Sequence, residues 1–280
     1  MKIYISCDME GISGVVNWVE TGPGPEGNAT EYERFRRVMT AEVNAAALGA
    51  FEGGATEVVI NDSHGGMRNI VIEELDPRVQ LLRGSPKRWS MMEGLDGSFD
   101  GVFLVGYHSR ASSLGVLNHT YTGTVVNYKV NGTAYGETGM NAYIAGEHDV
   151  PVLLVTGDDQ VGAEARALLP AVGTVEVKKA AGRYAAQCLH PARARELITA
   201  AAAKVVREKV AGQGGAADAK PLKAARPVRI EMGFQVSAMA DGASVMPGVD
   251  RVDNLTVGYT APDYLTAYRA ARAMITLAGR

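Results

Sequence analysis

Residues 2–7 read Lys-Ile-Tyr-Ile-Ser-Cys and residues 57–61 read Glu-Val-Val-Ile-Asn, and these two runs frame the segment that decides the fold. Both runs are short and rich in apolar and β-branched residues, which is typical of buried strands. The segment between them has apolar residues at the spacing of one helix face: Tyr32, Phe35, Met39, Val43, Ala46 and Ala50. Strand, helix and strand in this order predict a βαβ unit with a parallel sheet.

Both ends of this helix carry local signals in the sequence. Thr30 is the predicted N-cap, because Glu33 follows three residues later and completes a capping box. Gly53-Gly54 is predicted to end the helix, since glycine readily adopts the left-handed conformation found at C-terminal caps.

The alternation of strand-like and helix-like runs continues to the C-terminus. Strands are predicted at 79–82, 101–105, 150–155, 229–234 and 254–259, and helices at 138–146, 163–169, 192–210 and 264–278. Asn131-Gly132 separates two further strand-like runs, at 124–130 and 133–135. This pair favours a β-hairpin with a two-residue type I′ turn.

The predicted fold class is therefore α/β, with a mostly parallel sheet flanked by helices, an inserted β-hairpin and a smaller C-terminal α+β part. We divide the chain into an α/β domain at 1–190 and a C-terminal α+β region at 191–280. The alternative is one continuous domain, because the glycine-, alanine- and lysine-rich connection at 212–227 does not fix a boundary.

Composition restricts the classes of function. Of 280 residues, 46% are hydrophobic and 21% charged, which suits a globular core and excludes a mainly disordered or coiled-coil chain. The net charge of −3 argues against a general binder of nucleic acid or of anionic membranes. Two cysteines exclude a disulfide framework, the N-terminus has no secretion signal, and no apolar run reaches the ~18 residues of a membrane span. We therefore expect a soluble, cytoplasmic protein.

Acidic and histidine side chains follow several predicted strands at the point where each strand ends. Asp8 and Glu10 follow the first strand, His64 follows the second, and His108 follows the strand at 101–105. Because ligands bind beyond the carboxyl ends of parallel strands, we expect these side chains on one edge of the sheet. Carboxylate oxygen and imidazole nitrogen together suit a divalent metal ion. The sequence therefore predicts a metal site at this edge.

For several other polar residues the sequence allows both a structural and a functional interpretation. Glu137, at a predicted helix start, is either an acidic residue favoured by the helix dipole or a further carboxylate ligand. His119, in an uncharged loop, is either a proton shuttle near the metal or an ordinary loop histidine. Asp158 and Asp159 also stand at a strand end, where an acidic turn accounts for them nearly as well.

Five short motifs occur in the order found in a known family. They are Ser6-Cys-Asp8-Met-Glu10-Gly11, Asn61-Asp-Ser-His64-Gly-Gly, Gly106-Tyr-His108, Asn118-His119-Thr and Gly136-Glu137-Thr-Gly. On these motifs the chain resembles the D-aminopeptidase family of dinuclear zinc peptidases, known as M55. The resemblance covers at least residues 1–160 and is expected to extend over the whole chain, although the C-terminal third carries no motif that matches residue by residue.

The resemblance implies a site, a reaction and an assembly. It implies two Zn²⁺ per chain, with His119 as the catalytic histidine and five ligands: Asp8, Glu10, His64, His108 and Glu137. Manganese, cobalt or iron would also suit these nitrogen and oxygen donors. The implied reaction is hydrolysis of the N-terminal amide bond of short peptides that contain D-amino acids. The implied assembly is a homo-oligomeric ring, described as a decamer, with residues 1–190 as the metal-binding catalytic domain.

Two rival functions are weighed against this one. A Mg-dependent phosphatase of haloacid-dehalogenase type also opens with an Asp-x-acid-Gly motif, but it requires a second Asp where Glu10 stands. A non-catalytic, metal-stabilised ring-forming protein would keep the metal ligands without an open position for substrate.

Other signals of catalysis are missing from the sequence. The glycine-rich run at 22–27 has neither a Walker lysine nor the dinucleotide fingerprint, so it is interpreted as a flexible loop or lid. No GxSxG elbow is found, which argues against a serine hydrolase.

Overall fold

Strands and helices alternate through the structure, a computed structural model that describes residues 1–24 and 27–279. The strands are β1 (Lys2–Cys7), β2 (Glu57–Asp62), β3 (Gln80–Leu82), β4 (Gly101–Tyr107), β5 (Val125–Val130), β6 (Thr133–Ala134), β7 (Val152–Asp158), β8 (Gly173–Gly182), β9 (Ala185–Cys188), β10 (Val228–Phe234), β11 (Asp250–Arg251) and β12 (Thr256–Ala261). The α-helices are α1 (Ala29–Gly53), α2 (Glu137–Glu147), α3 (Asp159–Leu168), α4 (Pro191–Ala211), α5 (Ser237–Ala243) and α6 (Tyr264–Ala278).

Sheet A contains seven of these strands in the order β3-β2-β1-β4-β7-β8-β9. β1 lies at its centre and pairs in parallel with both β2 and β4. β9 pairs antiparallel with β8 at the edge. The predicted α/β class and the βαβ unit are confirmed. β8 was not predicted, and only three of its ten residues are buried, so its hydrophobic pattern is weak.

Sheet B is antiparallel, with the order β11-β12-β10-β5-β6. The predicted hairpin is present as β5 and β6. Both turn residues, Asn131 (φ 49°) and Gly132 (φ 85°), have the left-handed conformation that a type I′ turn requires. The hairpin belongs to sheet B rather than to the parallel sheet A, because β5 pairs with β10. Cross-strand partners about a hundred residues away in the chain decide this, and local periodicity does not reveal them.

Alternate residues of β1 face opposite sides of sheet A. Ile3, Ile5 and Cys7 lie in a core shared with α1 and α4. Tyr4 lies in a second core, shared with α2, α6 and sheet B. Cys7 is therefore a structural residue that points away from the carboxylates following β1.

The first helix begins earlier than predicted. Asn28, rather than Thr30, is the N-cap of α1, and its side chain accepts hydrogen bonds from the backbone N–H groups of Thr30 and Glu31. Asn and Thr are both favoured at N-caps, so the residue type alone does not distinguish the two positions. Gly54 ends the helix with φ of 109°, as predicted.

The predicted division at residue 190 stays a prediction. Sheet B combines β5 and β6, which precede that residue, with β10, β11 and β12, which follow it. Helix α4, which also follows it, packs against α1 beside sheet A. Both cores therefore contain residues from both parts of the chain.

Two further predictions concern membrane-spanning segments and the glycine-rich loop. Among the described residues, every helix is too short or too polar to cross a lipid bilayer. Pro25 and Glu26, in the loop at 22–27, lie outside the described residues. The interpretation of this loop as a flexible loop or lid therefore stays a prediction.

Candidate metal centre

Six predicted side chains meet at the carboxyl edge of sheet A. Three neighbouring strands, β2, β1 and β4, end at this edge, and two other segments complete the cluster. The six residues are Asp8, Glu10, His64, His108, His119 and Glu137, and five of them line one cavity of about 230 Å³. The convergence of these side chains beyond the strand ends, predicted from the sequence, is thus observed.

Asp8 lies between two histidines. His64 Nδ1 is 3.2 Å from Asp8 Oδ1 and 3.0 Å from Glu10 Oε2. His108 Nε2 is 3.5 Å from the other oxygen, Asp8 Oδ2. Both carboxylates are buried. Each oxygen of Asp8 therefore faces a different imidazole.

Glu137 lies close to both His108 and His119. Its Oε1 lies 3.3 Å from His108 Nε2 and 3.7 Å from His119 Nε2. The two imidazole rings stack with centroids 4.1 Å apart, and Trp18 packs edge-on against His119. Glu137 is also the first residue of α2, so the helix-terminus interpretation is observed and the ligand interpretation stays a prediction.

Each of the three histidines uses its other ring nitrogen in the same way. A carbonyl oxygen only accepts a hydrogen bond, so the nitrogen facing it carries a proton in both the neutral and the charged ring. The nitrogen facing the carboxylates is then the one that can bind a metal ion when it is unprotonated. Metal-binding histidines characteristically donate such a hydrogen bond to a backbone carbonyl. The bonds are His64 Nε2 to Thr21 O (2.8 Å), His108 Nδ1 to Ser109 O (3.0 Å) and His119 Nδ1 to Leu117 O (2.9 Å).

The cluster fits a divalent cation. Within the described part of the chain, buried Asp8 Oδ2 and His108 Nε2 have no hydrogen-bond partner. Such orphaned atoms cost free energy unless another group satisfies them. Donor atoms of Asp8, Glu10 and His108 lie within 4.8 Å of one another, and so do those of His108, His119 and Glu137. Mixed nitrogen and oxygen donors at this spacing suit zinc and similar ions.

Burial and close like charges perturb the ionisation of these groups. Burial and the neighbouring charge of Glu10 raise the pKa of Asp8 to about 8. Burial opposes the charging of His108, but the charges of Glu137 and Asp8 outweigh it and raise its pKa to about 10. Burial and the neighbouring His108 lower the pKa of His119. Perturbed pKa values of this kind are concentrated at functional sites.

Two glycines let the loop after β1 lie against the loop after β4. A Cβ at Gly11 would be 1.9 Å from Tyr107 O, and one at Gly106 (φ 73°) would be 2.2 Å from Asp8 O. No side chain fits at these distances. The close approach, closed by a 2.8 Å bond from Gly11 N to Gly106 O, brings Asp8 and Glu10 beside His108.

Lys178 fixes the loop that carries Glu10, and the sequence analysis missed it. Its buried ammonium group donates to Glu10 O (2.5 Å), Ile12 O (2.9 Å) and Val15 O (2.5 Å). Strand alternation alone would not bury both Val177 and Lys178, but β8 has an irregular register at this point, where the pairing skips one residue. Only the bulge turns the lysine inward, so no sequence signal marked it.

Glu42 holds the same loop from α1. Its Oε1 accepts hydrogen bonds from the backbone N–H of Ser13 (3.0 Å) and from the Ser13 hydroxyl. Glu42 is fully buried, and burial raises its pKa to about 7. The loop is thus held from both sides by buried polar groups.

Glu137 has its own supports. Its Oε1 accepts a 2.6 Å hydrogen bond from Tyr121 N. On α3, Glu164 accepts bonds from Arg110 N (3.0 Å) and Gly136 N (3.3 Å), which joins the segment after β4 to the start of α2. His108 and Glu137 are therefore held at a set distance by backbone contacts.

Three other strand-end acids lie outside the cluster and have structural roles. Asp62 accepts hydrogen bonds from the backbone N–H groups of Asn69 and Ile70, which shapes the loop after His64. Asp158 caps α3 and accepts from Val116 N. Asp159 accepts from Ala180 N, as an acidic turn residue would.

The cavity wall also contains residues from the C-terminal third. Arg272, on α6, lines the cavity together with Tyr121, Ser90 and Met91. No motif pointed to Arg272, because α6 has an ordinary amphipathic pattern. A larger groove of about 540 Å³ adjoins the cavity and shares His119 with it. His119 therefore contacts both spaces.

The fold and this cluster define a class, an α/β protein with a histidine–carboxylate centre at the carboxyl edge of its sheet. Residues 1–273 match the profile of peptidase family M55, described as D-aminopeptidase, and the chain belongs to that family. It is 42% identical over 284 residues to the D-aminopeptidase of Bacillus subtilis strain 168, covering 100% of this chain and 98% of the relative.

A solved structure shows the same similarity in three dimensions. It is described as the Zn-dependent D-aminopeptidase DppA from Bacillus subtilis, a self-compartmentalizing protease. It matches with a TM-score of 0.94 and 40% identity, over 100% of this chain and 98% of that one.

These matches confirm the resemblance drawn from five motifs and, with it, the enzyme class, a hydrolase of aminopeptidase type. They extend the similarity through the C-terminal third, which the motifs did not reach. They favour neither the phosphatase nor the non-catalytic ring protein.

Lys178→Met is expected to destabilise the protein and loosen the loop that carries Glu10. The change keeps the unbranched apolar part of the side chain but leaves three buried carbonyl oxygens without their donor, so the free energy of unfolding should fall by about 3–5 kcal/mol. The melting temperature and bound metal content measure this effect. Lys179→Met, at the exposed neighbouring position, is the matched control. Equal melting temperatures for the two variants would refute the role of Lys178.

Glu42→Gln is expected to change the pH dependence of stability. Burial raises the pKa of Glu42 from 4.5 to about 7, so the native protein keeps a proton that the unfolded chain loses across this window. Stability from this group therefore falls as pH rises from 4.5 to 7. Each pKa unit corresponds to ~1.4 kcal/mol. Between pH 4.5 and 7 the free energy of unfolding of the variant should therefore rise by about 3 kcal/mol relative to that of wild type. Chemical denaturation at pH 4.5 and 8 measures the difference, and parallel pH curves would contradict it.

Proposed function

We propose that this protein is a dinuclear zinc aminopeptidase that removes the N-terminal residue from short peptides containing D-amino acids. One observation carries the proposal. Three histidines each bind a backbone carbonyl through one ring nitrogen and direct the other at a buried group of carboxylates. The family of the chain, and the D-aminopeptidase activity in the names of its relatives, supply the reaction.

Five residues would hold the two ions: Asp8, Glu10, His64, His108 and Glu137. Asp8 faces His64 with one oxygen and His108 with the other, which supports a carboxylate shared between two ions. When bound, the ions supply Lewis acidity toward the scissile carbonyl and toward a water molecule. Zinc follows the solved relative, described as Zn-dependent, and manganese, cobalt or iron would suit the same donors.

The remaining site residues bind and orient the peptide. The cavity of about 230 Å³ is smaller than the pockets typical of drug-sized ligands, which favours a short peptide held by its end. Its carboxylates can accept hydrogen bonds from a free α-ammonium group, so cleavage is restricted to the terminal residue. Most of the side chains of this site are buried from solvent.

His119 is proposed to move the proton. Its Nδ1 donates to Leu117 O, so Nε2, 3.7 Å from Glu137 Oε1, is the nitrogen that faces the cavity. This nitrogen can accept a proton and later deliver it to the leaving amine. Stacking on His108 and the edge of Trp18 hold the ring in position.

A homo-oligomeric ring completes the proposal. The solved relative is described as a self-compartmentalizing protease, and the family resemblance implies a decamer. In such a ring the substrate sites would face an enclosed space that admits only short peptides. The cytoplasmic location expected from the sequence is part of this proposal.

The function is tested by metal content together with hydrolysis. Zinc-reconstituted protein is expected to hold about two zinc ions per chain by elemental mass spectrometry. It should hydrolyse D-alanyl-D-alanine much faster than L-alanyl-L-alanine, and a chelator should abolish the activity. Protein that takes up neither zinc nor manganese would overturn the metallopeptidase. Equal hydrolysis of the two dipeptides would overturn the preference for D-amino acids.

His119→Ala is expected to lower kcat at least about a hundredfold while zinc content stays unchanged, because proton transfer typically contributes that much. His148→Ala provides the control, since His148 ends α2 away from the cavity. Steady-state kinetics and elemental analysis of both variants measure the effect. Full turnover by zinc-loaded His119→Ala would remove this residue from the reaction.

A further inference from the structure

Arg272 is a half-buried arginine in the wall of the metal-site cavity, and one of its nitrogens has no hydrogen-bond partner among the described residues. Its guanidinium carbon lies 4.7 Å from the centre of the Tyr121 ring. In the described part of the chain, its Nη1 is buried without a hydrogen-bond partner, and no carboxylate forms an ion pair with it. No other described arginine has such a buried, unsatisfied nitrogen.

Its surroundings hold this guanidinium in place. Tyr121, whose ring lies beneath it, is hydrogen-bonded through its hydroxyl to Tyr268 (3.0 Å). The same Tyr121 donates its backbone N–H to Glu137, so one residue contacts both the metal cluster and the arginine. The guanidinium is thus fixed next to the proposed reaction centre, although folding alone gives its buried N–H group nothing to bind. A preorganised, unsatisfied donor in a substrate cavity is a recognition group.

Charge in the cavity favours an anionic ligand at this position. Three carboxylates, Asp8, Glu10 and Glu137, are neutralised when two divalent ions occupy the cluster. Arg272 then remains as a positive charge on the cavity wall. Lys87 and Arg88 line an adjoining shallow pocket together with Arg272 and increase the positive potential.

We propose that Arg272 binds the terminal carboxylate of the peptide substrate and so selects short peptides with a free C-terminus. The inference rests on the proposed function, since it concerns the same cavity. The planar guanidinium presents paired N–H donors that match the two oxygens of a carboxylate. The small cavity places both ends of a dipeptide within reach of its walls. Arg272 is a residue for specificity, and the bond-breaking step does not require it.

The test compares an acid with its amide. Zinc-loaded wild type should hydrolyse D-alanyl-D-alanine with a kcat/KM at least about tenfold above that for D-alanyl-D-alaninamide, as expected for hydrogen bonds to a charged group. Arg272→Met should lower kcat/KM for the acid to the level of the amide, mainly through KM. Its kcat/KM for the amide should stay within about twofold of wild type.

Two further variants separate recognition from structure. Arg269→Met removes the same charge from the exposed side of α6 and should behave as wild type. Arg272→Lys keeps the charge without the paired donors and should show an intermediate preference for the acid. Zinc content, melting temperature and size-exclusion elution are recorded for each variant.

The outcomes distinguish this inference from the proposed function. Equal rates for acid and amide in wild type, or an undiminished preference in Arg272→Met, would overturn the role of Arg272 and leave the peptidase intact. Equal losses for both substrates in Arg272→Met and Arg272→Lys would also overturn it, because they indicate a structural role. Failure of zinc-loaded wild type to hydrolyse either substrate would overturn the proposed function itself.

Discussion

The burial of three carboxylates at one edge of the sheet is the constraint on which the rest of the structure depends. Asp8, Glu10 and Glu137 are almost without solvent contact, and groups of this kind are costly unless positive charge compensates them. The imidazoles of His64 and His108 lie against them, and two atoms of the cluster still have no partner among the described residues. The fold thus gathers carboxylates and imidazoles at one buried site, where a bound cation would satisfy the atoms left without partners.

Much of the surrounding structure serves to hold that cluster in one geometry. Gly11 and Gly106 allow two loops to approach more closely than any side chain permits. Lys178 gathers three carbonyl oxygens of the loop after β1, and Glu164 joins the segments that carry His108 and Glu137. These supports come from strands and helices rather than from mobile segments, which gives a site the precision that catalysis needs.

The sequence predicted the parts of the molecule that local rules determine. Strand ends, helix periodicity and the Asn131-Gly132 turn follow from nearest neighbours, and the convergence of Asp8 and His64 follows from the rule for parallel sheets. The pairing of β5 with β10 joins residues far apart in the chain, so the sequence did not show which sheet the hairpin joins. Lys178 is buried only through a bulge, and Arg272 reaches the cavity only through the packing of α6. The spacing of hydrophobic residues in the sequence therefore predicts neither the burial of Lys178 nor the position of Arg272.

The donors of the cluster come from the ends of β1, β2 and β4 and from the first turn of α2. An ion held among them acts as a cross-link between four elements that the chain brings together only when folded. Since such an ion binds the native state and not the unfolded chain, it stabilises the fold by mass action, by ~2.7 kcal/mol at a hundredfold excess over its dissociation constant. The lifetime of the folded protein in a cell would then follow the supply of free metal, independently of any peptide present.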